Sequence, residues 1–124
     1  MLFRSHNVEA FDYDSVYDAT TNFRYQPNVA GLYRIRALTG WEIGADQVQT
    51  ACLIFQNASA LSTSYPCTSS TKSAQSTYTE TVVLMNGTSD YLDARGYQDS
   101  GGAANTYAGV TRTYLCGERI GAQA

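Results

Sequence analysis

The chain has 124 residues, among them 10 Tyr, 4 Phe and 1 Trp, a length that makes one domain around a single sizeable core. Aromatic residues, Thr and Ser dominate, and the periodic Leu, Glu, Lys and Ala of a helical protein are missing, so strands are expected throughout. Charged residues make up 15% and the net charge is −3, which excludes the basic patch of a nucleic-acid partner, and no apolar run approaches membrane-spanning length.

Met1-Leu2-Phe3-Arg4 does not open a signal peptide, so the mature chain is expected to begin there. Residues 1–7 are read as an N-terminal arm and residues 8–124 as the single domain. Val8-Glu9-Ala10-Phe11 is followed by the acidic run Asp12, Asp14 and Asp18. The stretch Asp18-Ala19-Thr20-Thr21-Asn22 is turn chemistry, because these side chains bond their own backbone. Phe23 to Leu38 is the best patterned segment. It turns at Pro27, breaks at Gly31, and then places Tyr33, Ile35 and Ala37 on one side and Arg34 and Arg36 on the other. That period of two predicts a half-buried strand, closed by Thr39-Gly40.

Trp41-Glu42-Ile43 is expected to be a separate short apolar piece. In the strand predicted over Val48 to Phe55, Val48, Thr50, Cys52 and Ile54 alternate against Gln49, Ala51, Leu53 and Phe55. Both sets turn apolar near the end, so cover on both faces is expected there. Residues 56–76 are rich in Ser and Thr and read as a long surface loop, with room for one short edge strand. Thr77 to Met85 resumes alternation and leads directly into Asn86-Gly87, the dipeptide of tight hairpin turns. Strands over Tyr91 to Tyr97 and Thr111 to Cys116, with a turn at Asp99-Ser100-Gly101-Gly102, complete an all-β chain of the sandwich or barrel class.

Each candidate for chemistry has a plainer structural reading. Glu9, Asp12, Asp14 and Asp18 offer carboxylates for calcium, but not at EF-hand spacing; a solvated acidic arm, or one pairing with Arg of a neighbour, is the stronger reading. His6 is the only histidine and lies in the arm, whereas a catalytic base must be held rigidly. Cys52, Cys67 and Cys116 are an odd set without metal-ligand spacing. Cys52 reads as a small buried thiol, and a bridge from Cys67 to either partner is left open. Asp90 and Asp93 could face a sugar-sized groove as paired carboxylates, but turn and strand-surface roles outweigh that. Asn57-Ala58-Ser59 and Asn86-Gly87-Thr88 match glycosylation acceptors and match turns equally well. No catalytic residue, metal site or cofactor is assigned.

Phe23, Pro27, Gly31 and Tyr33, in that order, resemble the central signature of the complement component 1q globular head and its tumour-necrosis-factor-like relatives. Cys52-Leu53-Ile54-Phe55-Gln56-Asn57 is similar to that family's strand ending in an Asn turn. Val82-Val83-Leu84, then Gly87, Asp90, Tyr91 and Leu92, resembles its penultimate hairpin, and Tyr97 to Gly101 with Tyr114-Leu115-Cys116-Gly117 its last segment. The likeness spans roughly Val8 to Gly121, with one extra residue on each side of Pro27 and a longer Gly87-Thr88-Ser89-Asp90 turn.

The resemblance implies a jelly-roll β-sandwich of about ten antiparallel strands that forms a homotrimer and carries no catalysis. Short versions rich in Thr, Tyr and Ser are typical of bacteriophage virion proteins. No Gly-X-Y period or heptad lies before Val8, as expected of a free-standing head rather than a stalked one. Within that frame Tyr33, Tyr78, Tyr91, Tyr97 and Tyr114, with Tyr107, are expected in the core or along a trimer axis. Arg34, Arg36, Asp12 and Asp14 are expected at inter-subunit or capsid contacts, the more so because Lys72 is the only lysine beside seven arginines. Two roles follow as expectations. One is a capsid decoration (cement) protein on the particle surface, whose partners are its own copies and the major capsid protein. The alternative is a receptor- or glycan-binding tip of a tail fibre or spike.

Overall fold

A computed structural model describes residues 15–42, 48–64, 75–107 and 113–122. Among them run nine strands: β1 (Tyr17–Asp18), β2 (Arg24–Tyr25), β3 (Gly31–Glu42), β4 (Thr50–Gln56), β5 (Ser59–Ser64), β6 (Gln75–Met85), β7 (Leu92–Gln98), β8 (Asn105–Thr106) and β9 (Thr113–Gly121). All pairings are antiparallel, and no described residue is helical. The all-β expectation therefore holds.

Two sheets face each other. One has the order β1-β2-β7-β4-β5; in the other β3 lies between β6 on one edge and β8 and β9 on the other. The core between them takes Tyr33, Ile35, Ala37, Val83 and Met85 from the β3 sheet and Cys52, Ile54, Leu92 and Ala94 from the β4 sheet. Trp41 and Val48 form a second buried group at one end, against Ala104. At that end the interior is polar too, with Thr39, Thr50, Thr77 and Thr79 all buried. The Thr39 hydroxyl donates to Cys52 Sγ at 3.4 Å, which gives one of these buried hydroxyls a partner.

Cys52 is the small buried thiol expected, and burial pushes its pKa up. Cys52 and Cys116 are not bridged to each other; Cys67 lies outside the described residues.

The segment from Phe23 is not one strand. Arg24–Tyr25 pairs into the β7 sheet, and the chain then crosses over to start β3 at Gly31. Nor does β3 close at Thr39-Gly40. It runs on through Trp41 and Glu42, because Gly40 is held extended from both sides: it lies opposite Ser76, its N–H donates to Thr113 Oγ1 at 3.3 Å, and its carbonyl accepts from Tyr107 N at 2.9 Å. The 56–76 stretch contains the edge strand β5, joined to β4 by a two-residue hairpin turn at Asn57-Ala58. Both turn residues have positive φ, 49° and 68°, the primed geometry that suits right-handed strand twist.

Asn86-Gly87, by contrast, is not a tight hairpin. β6 and β7 belong to different sheets, and the connection spans the gap between them. Gly87 does take the left-handed conformation, with φ 72°. A Cβ there would sit 2.3 Å from Ala30 N, so the close approach of the neighbouring loop needs glycine as well. The Asn86 side-chain oxygen accepts from the N–H groups of Thr88, Ser89 and Asp90 at 2.9, 2.9 and 3.0 Å. Asn86 thus organises a crossover between sheets.

Candidate assembly face

Alternation along β3 sends Leu32, Arg34, Arg36 and Leu38 out of the core on the face opposite Tyr33, Ile35 and Ala37. Register then sets their neighbours. On β6, Leu84, Val82, Glu80 and Tyr78 lie opposite these four in turn. On β9, Glu118 lies opposite Arg34, Cys116 opposite Arg36 and Tyr114 opposite Leu38, while Ile120 sits at a bulge beside Leu32.

The exposed face therefore has three zones. One end is apolar, with Leu32, Val82 and Leu84. The other carries Leu38 between Tyr78 and Tyr114. The centre holds two Arg and two Glu.

The central charges form a closed set. Glu118 Oε1 accepts from Arg34 Nη1 at 3.2 Å and from Arg36 Nη2 at 3.3 Å. Glu80 Oε2 accepts from Arg36 Nε at 2.9 Å, and Glu80 Oε1 lies 3.8 Å from Arg34 Nε. Each carboxylate thus bridges both guanidinium groups, and the net charge of the set is zero. The Tyr78 hydroxyl donates to Glu80 Oε2 at 2.7 Å. That bond, followed by the two arginines, holds the Glu80 carboxyl below its ordinary value and raises Tyr78, while the separate hydrogen bond from Arg36 to Glu80 raises Arg36. Cys116, beside Arg36, is pushed up mainly by burial.

Among the described residues, four of the seven large apolar or aromatic side chains left exposed lie on this face: Leu32 (39%), Tyr78 (46%), Val82 (51%) and Leu84 (49%). Single exposed leucines need no explanation, but a contiguous apolar surface on one sheet does.

The expected site residues separate by position. Tyr33 is buried in the core, its hydroxyl donating to Val29 O at 2.7 Å and its ring meeting Tyr25 edge-on at 6.0 Å. Tyr78 and Tyr114 lie on the face just described. Tyr91 and Tyr97 belong to the other sheet: Arg24 stacks over Tyr91 at 4.5 Å, and Tyr97 lies opposite Ala51. Tyr107 follows β8. Of the tyrosines expected together, Tyr78 and Tyr114 flank Leu38 on this face, and Tyr33, Tyr91 and Tyr97 lie elsewhere. Arg34 and Arg36, expected at inter-subunit or capsid contacts, meet Glu80 and Glu118 of their own chain.

Asp93 pairs with Arg95 at 2.6 Å, and the Arg95 guanidinium covers the Phe55 ring at 3.8 Å. This is the outer cover expected for the end of β4. Asp90 accepts from Asn57 Nδ2 and Asn86 N, both at 2.8 Å, so it is a turn residue. Asp18 is another. Its carboxylate accepts from Thr20 N at 3.0 Å and from Thr21 N and Asn22 N at 2.9 Å, bonds that hold it far below the usual carboxylate range. Among the described residues no three His, Cys, Asp or Glu side chains gather as a metal-holding group. His6, Glu9, Asp12 and Asp14 lie outside the described residues.

Sequence reasoning passed over Glu80, Glu118, Val82 and Leu84. Glu80 sits in the alternating set Tyr78, Glu80, Val82, Leu84, whose apolar end suggests core as readily as surface. Glu118 could have been found only by pairing β9 with β3 in register.

No protein-family model matches the chain, and no curated protein sequence matches it.

Proposed function

We propose that this chain is a non-enzymatic structural protein that assembles as a homotrimer through the outer face of the β6-β3-β9 sheet and decorates a bacteriophage capsid. The observation that carries the self-assembly is this face, with apolar zones flanking a centre whose charges cancel within one chain. A surface meant for a charged partner would carry net charge of the opposite sign. An internally neutral face can be covered by a neighbouring copy without leaving unpaired charge, and aromatic and Arg side chains are the types enriched at such contacts.

The jelly roll belongs to the same proposal. Successive strands change sheet at β2–β3, β3–β4, β5–β6, β6–β7 and β7–β8 while β1–β2, β4–β5 and β8–β9 stay in one, an alternation in keeping with two interleaved Greek keys. The virion role rests on the family resemblance of the Phe23, Pro27, Gly31 and Tyr33 pattern.

Light scattering on the purified chain tests the assembly, with the mass of three chains expected. Val82→Asp with Leu84→Asp should give a folded single chain, since both side chains are already half exposed; a trimer that survives both substitutions refutes the choice of face. Counting copies per particle tests the role. Hundreds, with loss of heat resistance when the protein is absent, are expected of a cement protein; threes per fibre would mark the tip of a fibre instead.

A further inference from the structure

The centre of the candidate face has a property that its apolar flanks lack: it is neutral only while both carboxylates are ionised. The titratable and charged groups on it are Arg34 and Arg36 from β3, Glu80 and Tyr78 from β6, and Glu118, Cys116 and Tyr114 from β9. Glu118 Oε1 lies within 3.3 Å of a nitrogen on each guanidinium, and Glu80 bridges the same two arginines from the other side.

Protonating Glu80 would leave two guanidinium groups against one carboxylate, and the set would carry a net positive charge. On a free chain water solvates that charge at little cost. Between copies the same charge would lie uncompensated in a desolvated contact, where it is costly.

We infer that Arg34, Arg36, Glu80 and Glu118 make assembly through this face reversible by acid, the copies separating as Glu80 takes up a proton while each chain stays folded. This rests on the reading of the face as the contact between copies. The sign follows from the direction at Glu80. Its carboxyl is held below the ordinary 4.5, first by the Tyr78 hydroxyl and then by the arginines. The ionised, cohesive form is therefore complete above that value and is lost as pH falls through the depressed one. The core between the sheets contains none of these groups, which is why the fold should outlast the contact.

The test is light scattering with circular dichroism from pH 7 to about pH 3, a span that brackets carboxylate titration. The wild-type chain should show the mass of an assembly at the start and of one chain at the end, with its strand signal kept. Glu80→Gln, a mimic of the acid form, should be a single chain already at pH 7. Replacing all four charged residues with Leu should keep the assembly over the whole range.

An assembly that persists at the acid end, or a Gln variant still assembled at pH 7, overturns the switch and leaves the interface reading standing. Separation that coincides with loss of the strand signal overturns it too. A wild-type chain that is single at pH 7 overturns the interface and the switch together.

Discussion

Gly96→Ala is the sharpest probe of how the two sheets meet. Gly96 lies on β7 opposite Cys52 and faces the interior beneath Trp41. A Cβ added there would stand 2.7 Å from Trp41 Cζ2 and 3.1 Å from Thr39 Cγ2, against about 3.5–4.0 Å for relaxed carbon contacts. Trp41 is 1% exposed and Thr39 2%, so neither can withdraw into solvent and the sheets must part or the indole must tilt. Gly96 is not among the residues with positive φ, so the effect is steric.

Overpacking of this kind costs about 1–3 kcal/mol, and each kcal/mol lowers Tm by roughly 3–6 °C in a chain of this length. Thermal unfolding followed by circular dichroism measures the loss, with the emission of Trp41, the only tryptophan, as a second probe of the same contact. Gly102→Ala is the control, because nothing lies within 4 Å of its Cβ position. A Gly96→Ala protein that melts with wild type or with the Gly102→Ala control would refute the packing argument.

Three further outcomes follow from the geometry. Ile54→Ala, at a side chain with 0% exposure, should cost about 2–5 kcal/mol in denaturant unfolding; a loss under 1 kcal/mol would deny Ile54 its place in the core. Ala58→Gly should raise stability by up to about 1 kcal/mol, since relief of the left-handed strain at φ 68° outweighs the added freedom of the unfolded chain; a lower Tm would contradict the turn assignment. Asp18→Ala should weaken the folded chain at neutral pH, and the gap from wild type should narrow as pH falls below the ordinary 3.8 toward the depressed value, because stability linked to a lowered carboxyl is lost on acidification. A gap independent of pH would show that the charge on Asp18 contributes nothing.

Much of this could be read from local pattern. The period-two run from Tyr33 to Ala37 put the aromatic and aliphatic side chains inward and Arg34 and Arg36 outward, as they are found, because one-sided burial forces alternation. Asp18 to Asn22 formed the expected turn, since that carboxylate has backbone donors within reach along its own chain. Asn86-Gly87 was half legible. Positive φ at Gly87 is a local property; whether the chain returns beside itself or crosses to the other sheet is not.

The inside of β6 could not be read locally at all. Thr77-Tyr78-Thr79-Glu80-Thr81-Val82-Val83-Leu84-Met85 has an apolar end on both faces, and hydropathy favours burying Val82 and Leu84. Pairing with β3 reverses this. Met85 lies opposite Gly31 and Val83 opposite the buried Tyr33, so Thr77 and Thr79 go in while Val82 and Leu84 stay outside. A one-residue slip would invert every side chain of the strand, and the slip is forbidden by the partner's own buried face.

The sequence by itself determined the all-β class, the inward and outward sides of β3 and the turn at Asp18, because each depends on side chains a few residues apart. Tertiary structure alone decided which side of β6 is core, that Glu80 and Glu118 lie across Arg34 and Arg36, and that the exposed apolar side chains form one surface. Those facts depend on register between residues 34 or more apart in the chain, and only closing the two sheets over a common core sets that register.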